Sequence, residues 1–437
     1  MTIDRLTGAN FATELLRQRF TDDPRSQTGW LGKYQQFYRE QIGQIPFPTL
    51  RQEEWKYTDL AELLATAWQM GAIAQNPRIE ALVQAERIEG TLQLVVVNGV
   101  FAPHYSTIAL PEGISFSHSS NLSQTNLEQY FQAIPNSDFF TSLNHGCFED
   151  VIVLEVSAEV QQPVQVLFVH DTLDQAAIAH NRLLVVLTDH SSLNLVQTQV
   201  GLPDQTYFAN TVSQFYLGKN ARLHHVLVQT QAPLAYDLHA SQIVQASDSH
   251  YHGVAIALGA KLSRLQLEID QKGKGASSQI YGLAVTDGDR LADTHSVIAH
   301  QVRDGSSTQV HRTVVSDRGR GVFSGKIKVA KNAQNTNSSQ LSRNLLRSST
   351  ARVDTQPQLE ILADNVKCAH GATVSQLDPE EIFYLQSRGL SASQAANLLT
   401  YGFAAEILAQ IKLDSLRSRL EKLTAQPNSD RQNDQDQ

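Results

Sequence analysis

Pro163-Val164-Gln165-Val166-Leu167-Phe168-Val169 and Arg182-Leu183-Leu184-Val185-Val186-Leu187 decide the fold class. Both are short apolar runs rich in β-branched residues, the signature of buried strands. Upstream lies Val151-Ile152-Val153-Leu154-Glu155-Val156. Further upstream, Leu92, Leu94 and Val96 alternate with Gln93, Val95 and Val97 before the turn signal Asn98-Gly99. Downstream, Ser192-Leu193-Asn194-Leu195, Ala221-Arg222-Leu223-His224 and Ala260-Lys261-Leu262-Ser263 each open a strand after a polar or glycine-containing turn. Leu193 to Leu223 is 30 residues and Leu223 to Leu262 is 39. Such uneven spacing suits stacked coils better than the equal blades of a propeller. Each coil leaves an apolar face open until the next covers it, so many coils share one core. The expectation is a mainly β protein with a β-solenoid core over residues 89–376. Asn332, Asn335, Asn337 and Asn344 are placed to form side-chain ladders between coils.

The period is helical at both ends. Trp30, Tyr34 and Phe37-Tyr38 share helical spacing, and the helix must stop at Pro46-Phe47-Pro48. Thr49 and Gln52 have capping-box spacing for a second helix through Trp55, Leu60 and Leu63-Leu64. The ordinary role of these aromatics is core packing. Residues 1–88 are therefore expected to be an N-terminal helical domain. Asp378-Pro379-Glu380-Glu381 announces a helix that Gly389 can stop, and Ser391 with Gln394 caps another. Ala395, Leu399, Phe403 and Ile407 then recur every four residues, followed by Leu413, Leu416, Leu420 and Leu423. This gives a C-terminal helical domain over 377–425. Residues 426–437 carry no large apolar side chain and read as a disordered tail.

Composition excludes several functions. The 437 residues include 35 Lys+Arg against 44 Asp+Glu, a net charge of −9 without a basic block, which argues against nucleic acid as the partner. Two cysteines cannot build a disulfide framework or a four-cysteine metal site. Met1-Thr2-Ile3-Asp4-Arg5 lacks signal-peptide features, and no run of about 18 apolar residues marks a membrane span. A cytoplasmic protein with no membrane partner is the expectation.

Candidate chemistry is sparse. Gly321-Val322-Phe323-Ser324-Gly325-Lys326-Ile327 imitates a phosphate loop, but it has three residues between the glycines and Ile where Ser or Thr belongs. Lys272-Gly273-Lys274-Gly275 has no loop-to-helix context. Among the 15 histidines, His250 and His252 share one strand face, so a cupin-like metal-binding enzyme using clustered histidines is the alternative function. His224-His225 face opposite ways, and His295, His300 and His311 have no ligand spacing; solvent-facing histidines are the simpler account. Lys367-Cys368-Ala369-His370-Gly371-Ala372-Thr373 is the most suggestive segment. Cys368 and His370 share a strand face, both can ligate metal, and an imidazolium would favour the thiolate. Two ligands leave a tetrahedral site half built, so the others must come from elsewhere, most simply a second chain. Cys147 has no such neighbour and reads as structural.

Several of these segments resemble one family. Arg51-Gln52-Glu53-Glu54-Trp55-Lys56-Tyr57-Thr58-Asp59-Leu60 after the Pro46-Phe47-Pro48 pair is similar to the N-terminal signature of SufD-type proteins. Pro357-Gln358-Leu359-Glu360-Ile361, Cys368-Ala369-His370-Gly371-Ala372-Thr373 and Phe383-Tyr384-Leu385-Gln386-Ser387-Arg388-Gly389 resemble the C-terminal signature of the SufB/SufD family. Phe323-Ser324-Gly325-Lys326-Ile327 and Asn344-Leu345-Leu346 fit the same pattern, and the likeness spans about residues 46–410. SufB-type scaffolds carry additional cysteines, whereas this chain has only Cys147 and Cys368.

The resemblance implies a right-handed parallel β-helix flanked by helical domains. It implies a non-catalytic scaffold subunit for iron–sulfur cluster assembly, in a complex of one SufB, one SufD and two SufC ATPases. SufC would dock on the C-terminal helices near Phe383, Tyr384, Arg388 and Gly389, and ATP hydrolysis would belong to that partner. His370 would ligate iron or a nascent cluster at the SufB interface, with Cys368 as a second candidate and Gly371 allowing close approach. The chain alone would hold no cofactor, the iron or cluster being transient and shared with SufB. Whether flavin binds the complex stays open, as does a homodimer of the isolated chain.

Overall fold

Successive strand residues face opposite sides, so the buried row Gly321, Phe323, Gly325, Ile327 and Val329 in Arg320–Val329 requires an interior on one side. The computed structural model supplies it by stacking such rows. It describes residues 8–20, 29–71, 76–107, 109–119, 122, 127–131, 138–172 and 175–425.

Two long sheets face each other. The first runs from Ile152–Val156 through Ala177–Leu187, Tyr207–Leu217, Tyr236–Gln245, Leu262–Gln271, Leu291–His300 and Arg320–Val329 to Arg352–Ile361. The second runs from Leu92–Val97 through Val164–His170, Ser192–Gly201, Arg222–Gln229, His250–Ala257, Ser277–Thr286, Ser306–Val315 and Asn337–Leu346 to Lys367–Gln376. The chain alternates between them, making a parallel β-solenoid of about seven turns. Leu193, Leu223, Tyr251, Ser278, Ser307, Ser338 and Cys368 are successive register partners, so the coil period is 27 to 31 residues. Leu262 lies in the other sheet, which explains the odd 39-residue interval. Asn98 and Gly99 both take positive φ and turn Leu92–Val97 back onto Val100–Phe101. The ladder runs through Asp304, Asn335 and Asn365, with Asn335 Nδ2 donating to Asp304 (2.9 Å) and Asn365 Nδ2 to Asn335 (2.7 Å). Asn344 instead faces inward and donates to the Thr373 carbonyl (3.0 Å).

The interior changes character along the stack. Early coils pack Leu154, Val166, Leu183, Leu195 and Phe215. Later coils bury Gln245, Gln271, Ser278, His300, Ser307, Gln309 and Gln340. Here the expectation of solvent-facing histidines fails: His300 and His311 are interior residues, and His311 stacks on Phe323 with centroids 4.7 Å apart. Gly282 makes that possible, since a Cβ there would stand 2.2 Å from His311 Nδ1.

At the N-terminus, Gly8–Phe20 and Gly29–Ile42 are helices; Tyr34 and Tyr38 are buried while Phe37 is exposed. The expected second helix is broken into a 3-10 turn, Glu53–Trp55, and a short helix, Ala61–Ala65. Tertiary contacts explain the break. Trp55 lies under the Arg264 guanidinium (4.0 Å to the ring centroid), and Thr58 Oγ1 donates to Asp293 (2.5 Å). Asp293 also pairs with the buried Arg264 and with the half-buried His295 Nε2 (2.9 Å). Cys147 is buried in a helix, Phe139–Cys147, that interrupts the β region.

The C-terminal helices Pro379–Ser387, Ala392–Leu408 and Asp414–Ala425 return along the outside of the second sheet. Ala404, Ile407, Leu408, Leu416 and Leu420 pack on Val226, Val228, Val254 and Ile256. The four-residue stripe is only partly buried: Leu399 and Phe403 are half-buried, while Thr400 and Ala404 are covered. A spacing of four drifts by about 40° per step around a 3.6-residue helix, so no straight face can keep it. Residues 426–437 lie outside the described residues.

Candidate functional site at the open end of the solenoid

Among the described residues the last coil has no successor. Arg352–Ile361 and Lys367–Gln376, ten residues each, pair only with the strand of the preceding coil. Each therefore presents one edge of backbone N–H and C=O groups to solvent, the arrangement that pairs readily with another strand. Val353, Thr355, Leu359, Cys368, His370 and Val374 occupy rows that are interior in earlier coils, but no further described coil covers their outer side. Leu362 is 64% exposed and Val374 50%.

Cys368 and His370 do share one face of this strand. Their register partners are Ser338 and Gln340. His370 is exposed, while Cys368 is half-buried. The expected thiolate is not favoured there: burial pushes the Cys368 thiol above its ordinary range, more than the Ser338 backbone pulls it down. Below His370, Gln340 Nε2 donates to Gln309 (2.8 Å), and its buried Oε1 has no partner. Gly325 creates the room, because a Cβ there would stand 2.1 Å from Gln340 Nε2. Sequence reasoning about Cys368 and His370 missed Gln340; the Gly325 motif was the available signal. At Gly371 a Cβ would meet only Leu341, at an ordinary 3.4 Å, so nothing within the chain requires glycine.

A second exposed element adjoins this end. Helix Pro379–Ser387 buries no residue, leaving Phe383 72% and Tyr384 57% exposed. Asp378 caps it through the Glu380 amide (2.8 Å), and Gly389 ends it at φ +97°. Arg388 lies over the Tyr384 ring (5.3 Å) and donates to its hydroxyl (3.2 Å). The Ser391–Gln394 capping box that follows is complete. Phe383, Tyr384, Arg388 and Gly389 thus form a protruding, rigidly capped apolar knob.

The other candidate does not assemble. His250 Nδ1 is hydrogen-bonded with Ser277 (2.6 Å) and His252 Nδ1 with Gln279 (3.2 Å). His252 stacks on His224 (4.4 Å), and burial pulls both rings below the usual imidazole range. Among the described residues, no group of three or more His, Cys, Asp or Glu side chains could hold a metal ion. The cupin-like alternative also fails on architecture, because the sheets are those of a parallel solenoid. Gly321–Ile327 is interior strand rather than a phosphate loop. No helix among the described residues is long and apolar enough to cross a membrane.

The fold is a parallel β-solenoid whose last described coil leaves two strand edges open. Residues 168–403 match the SufBD core domain of the SUF system for FeS cluster assembly, and residues 28–166 match the SufBD protein N-terminal region. The chain belongs to the SufBD family of iron–sulfur cluster assembly proteins. It is 36% identical over 401 residues to an iron–sulfur cluster assembly SufBD family protein of Synechocystis, covering 87% of each chain. It is 29% identical over 391 residues to the iron–sulfur cluster assembly protein SufD of Escherichia coli, covering 88% of this chain and 90% of that one. Bacillus subtilis SufD is 26% identical over 281 residues, 64% of this chain and 63% of that protein.

Proposed function

We propose that this chain is a non-catalytic scaffold subunit in which the open terminal coil pairs with a SufB-type solenoid. The unpaired edges of Arg352–Ile361 and Lys367–Gln376 carry this reading. Twenty residues of edge backbone with exposed Leu362 and Val374 are an aggregation hazard unless a partner strand covers them. In that pairing His370, and with it Cys368, faces the junction, so iron or a nascent cluster would be held there as cargo with the partner supplying the remaining ligands. The knob of Phe383 and Tyr384 docks a SufC-type ATPase, which performs the ATP hydrolysis, and the assembly works in the cytoplasm.

The test is co-expression with a SufB-type and a SufC-type protein, followed by size exclusion with light scattering. One peak holding one copy of each solenoid chain and two ATPases is expected. His370→Ala should leave that peak intact and abolish cluster recovery. Elution of this chain alone beside folded partners would overturn the scaffold reading; undiminished cluster in His370→Ala would remove the role of His370.

A further inference from the structure

The corner leading from the second sheet into the first builds a groove that the assembly role does not use. Residues 57–62 cross it, and it encloses about 670 Å³, within the roughly 300–1,000 Å³ of small-molecule sites. Its walls carry Lys261, Arg290, Arg318, Arg320 and Arg352. The solenoid repeat puts them together. Leu291, Arg320 and Arg352 are successive register partners, and Lys261 and Arg290 immediately precede the partnered residues Leu262 and Leu291. Coils lie about 4.8 Å apart, so a cation at one corner faces a cation in the next, and like charges so placed repel.

Carboxylates offset this repulsion only in part. Glu62 pairs with Lys261, Asp287 with Arg290, Asp289 with Arg318 and Asp354 with Arg320, while Asp59, also in the walls, accepts from the Ala61 amide (2.9 Å). Arg352 has no ion-pair partner among the described residues, and neither its guanidinium nor the hydroxyls of Tyr57 and Ser349 in the same walls has a hydrogen-bond partner there. The Arg318–Asp289 pair is 70% and 68% exposed, and solvent screening leaves such a pair weak, so Arg318 can exchange its partner readily. A guanidinium only donates, and hydroxyls can, so the unspent capacity of Arg352, Tyr57 and Ser349 is for donating to a negatively charged acceptor. A ligand with acceptor oxygens on two linked centres would bridge neighbouring coils.

We propose that this groove binds a small organic di- or triphosphate, its phosphate oxygens on Arg352, Arg318 and Ser349. Apart from Arg352, the first residue of the terminal edge strand, the groove lies outside the surfaces assigned to assembly, and its binding is read on the isolated chain. The experiment is calorimetric titration of the full chain with pyrophosphate and, separately, with citrate. Saturable one-to-one binding of pyrophosphate is expected, weakened about tenfold or more by Arg352→Glu and by Ser349→Asp, through lost bidentate and hydroxyl donation. Both residues are exposed, so the variants should melt with the parent. Arg303→Glu, at the opposite corner and 60% exposed, should bind as the parent does. Absence of saturable pyrophosphate binding would overturn the proposal, as would equal weakening by Arg303→Glu. Equal affinity for citrate would overturn the assignment to phosphate.

Discussion

Asp237→Asn should stabilise this protein at neutral pH and do nothing at pH 4. Asp237 sits in the solenoid interior, aligned with Ala209 on one side and Ser263 on the other. It lines a small internal cavity with His239 and His311, and its Oδ1 has no hydrogen-bond partner. Burial pushes its carboxyl up to about 8 from an ordinary 3.8. Between those values the folded protein keeps the proton while the unfolded chain releases it. The unfolded state then binds fewer protons, so stability falls as pH rises, by about 1.4 kcal/mol per pH unit. From pH 3.8 to 7 the accumulated cost is about 4 kcal/mol. Asparagine has nearly the same shape and no proton to lose, so it removes that slope. The assay is urea unfolding of parent and variant at several pH values from 4 to 8. The expected result is curves that coincide near pH 4 and diverge as pH rises, with the variant more stable. A difference that does not change with pH, or a variant less stable at pH 8, would refute the assignment of a neutral buried acid.

Asp293→Ala should cost about 3–5 kcal/mol, because it strands the buried Arg264 guanidinium. Burial alone would raise the Asp293 carboxyl, but Arg264 and His295 hold it at about 2, so its contribution is present above pH 4 and fades as pH falls toward 2. Thermal melts of parent and variant at pH 7 and pH 3 should show the gap narrowing in acid. Phe383→Ala should leave stability within about 0.5 kcal/mol, since the ring touches little of its own chain, yet lose co-purification with a SufC-type ATPase.

Local pattern carried much of the architecture. The apolar runs at 163–169 and 182–187, the Asn98-Gly99 turn and the Ser391–Gln394 box all act within a few residues, and all stand in the structure. The coil period was misread at Leu262 because a strand of either sheet opens with the same local signature. The helix expected through Trp55 fails for a different reason. Its propensity is outweighed by contacts to Arg264 and Asp293, more than two hundred residues away in the chain.

The candidate site divides along the same line. Period two alone put Cys368 and His370 on one face, and strand alternation guarantees it wherever that strand lies. That this face is the open interior of a last coil depends on which strands follow, and among the described residues none does. The inward or outward sense of His300, His311 and Asp237 was equally hidden, because a two-sided parallel sheet buries polar residues without a break in pattern. So the sequence by itself determined most of the elements, their alternation and the family signature. The stacking of coils decided which residues are buried, which edges stay open and where charges collect, because burial and long-range pairing are properties of neighbours brought together only by the fold.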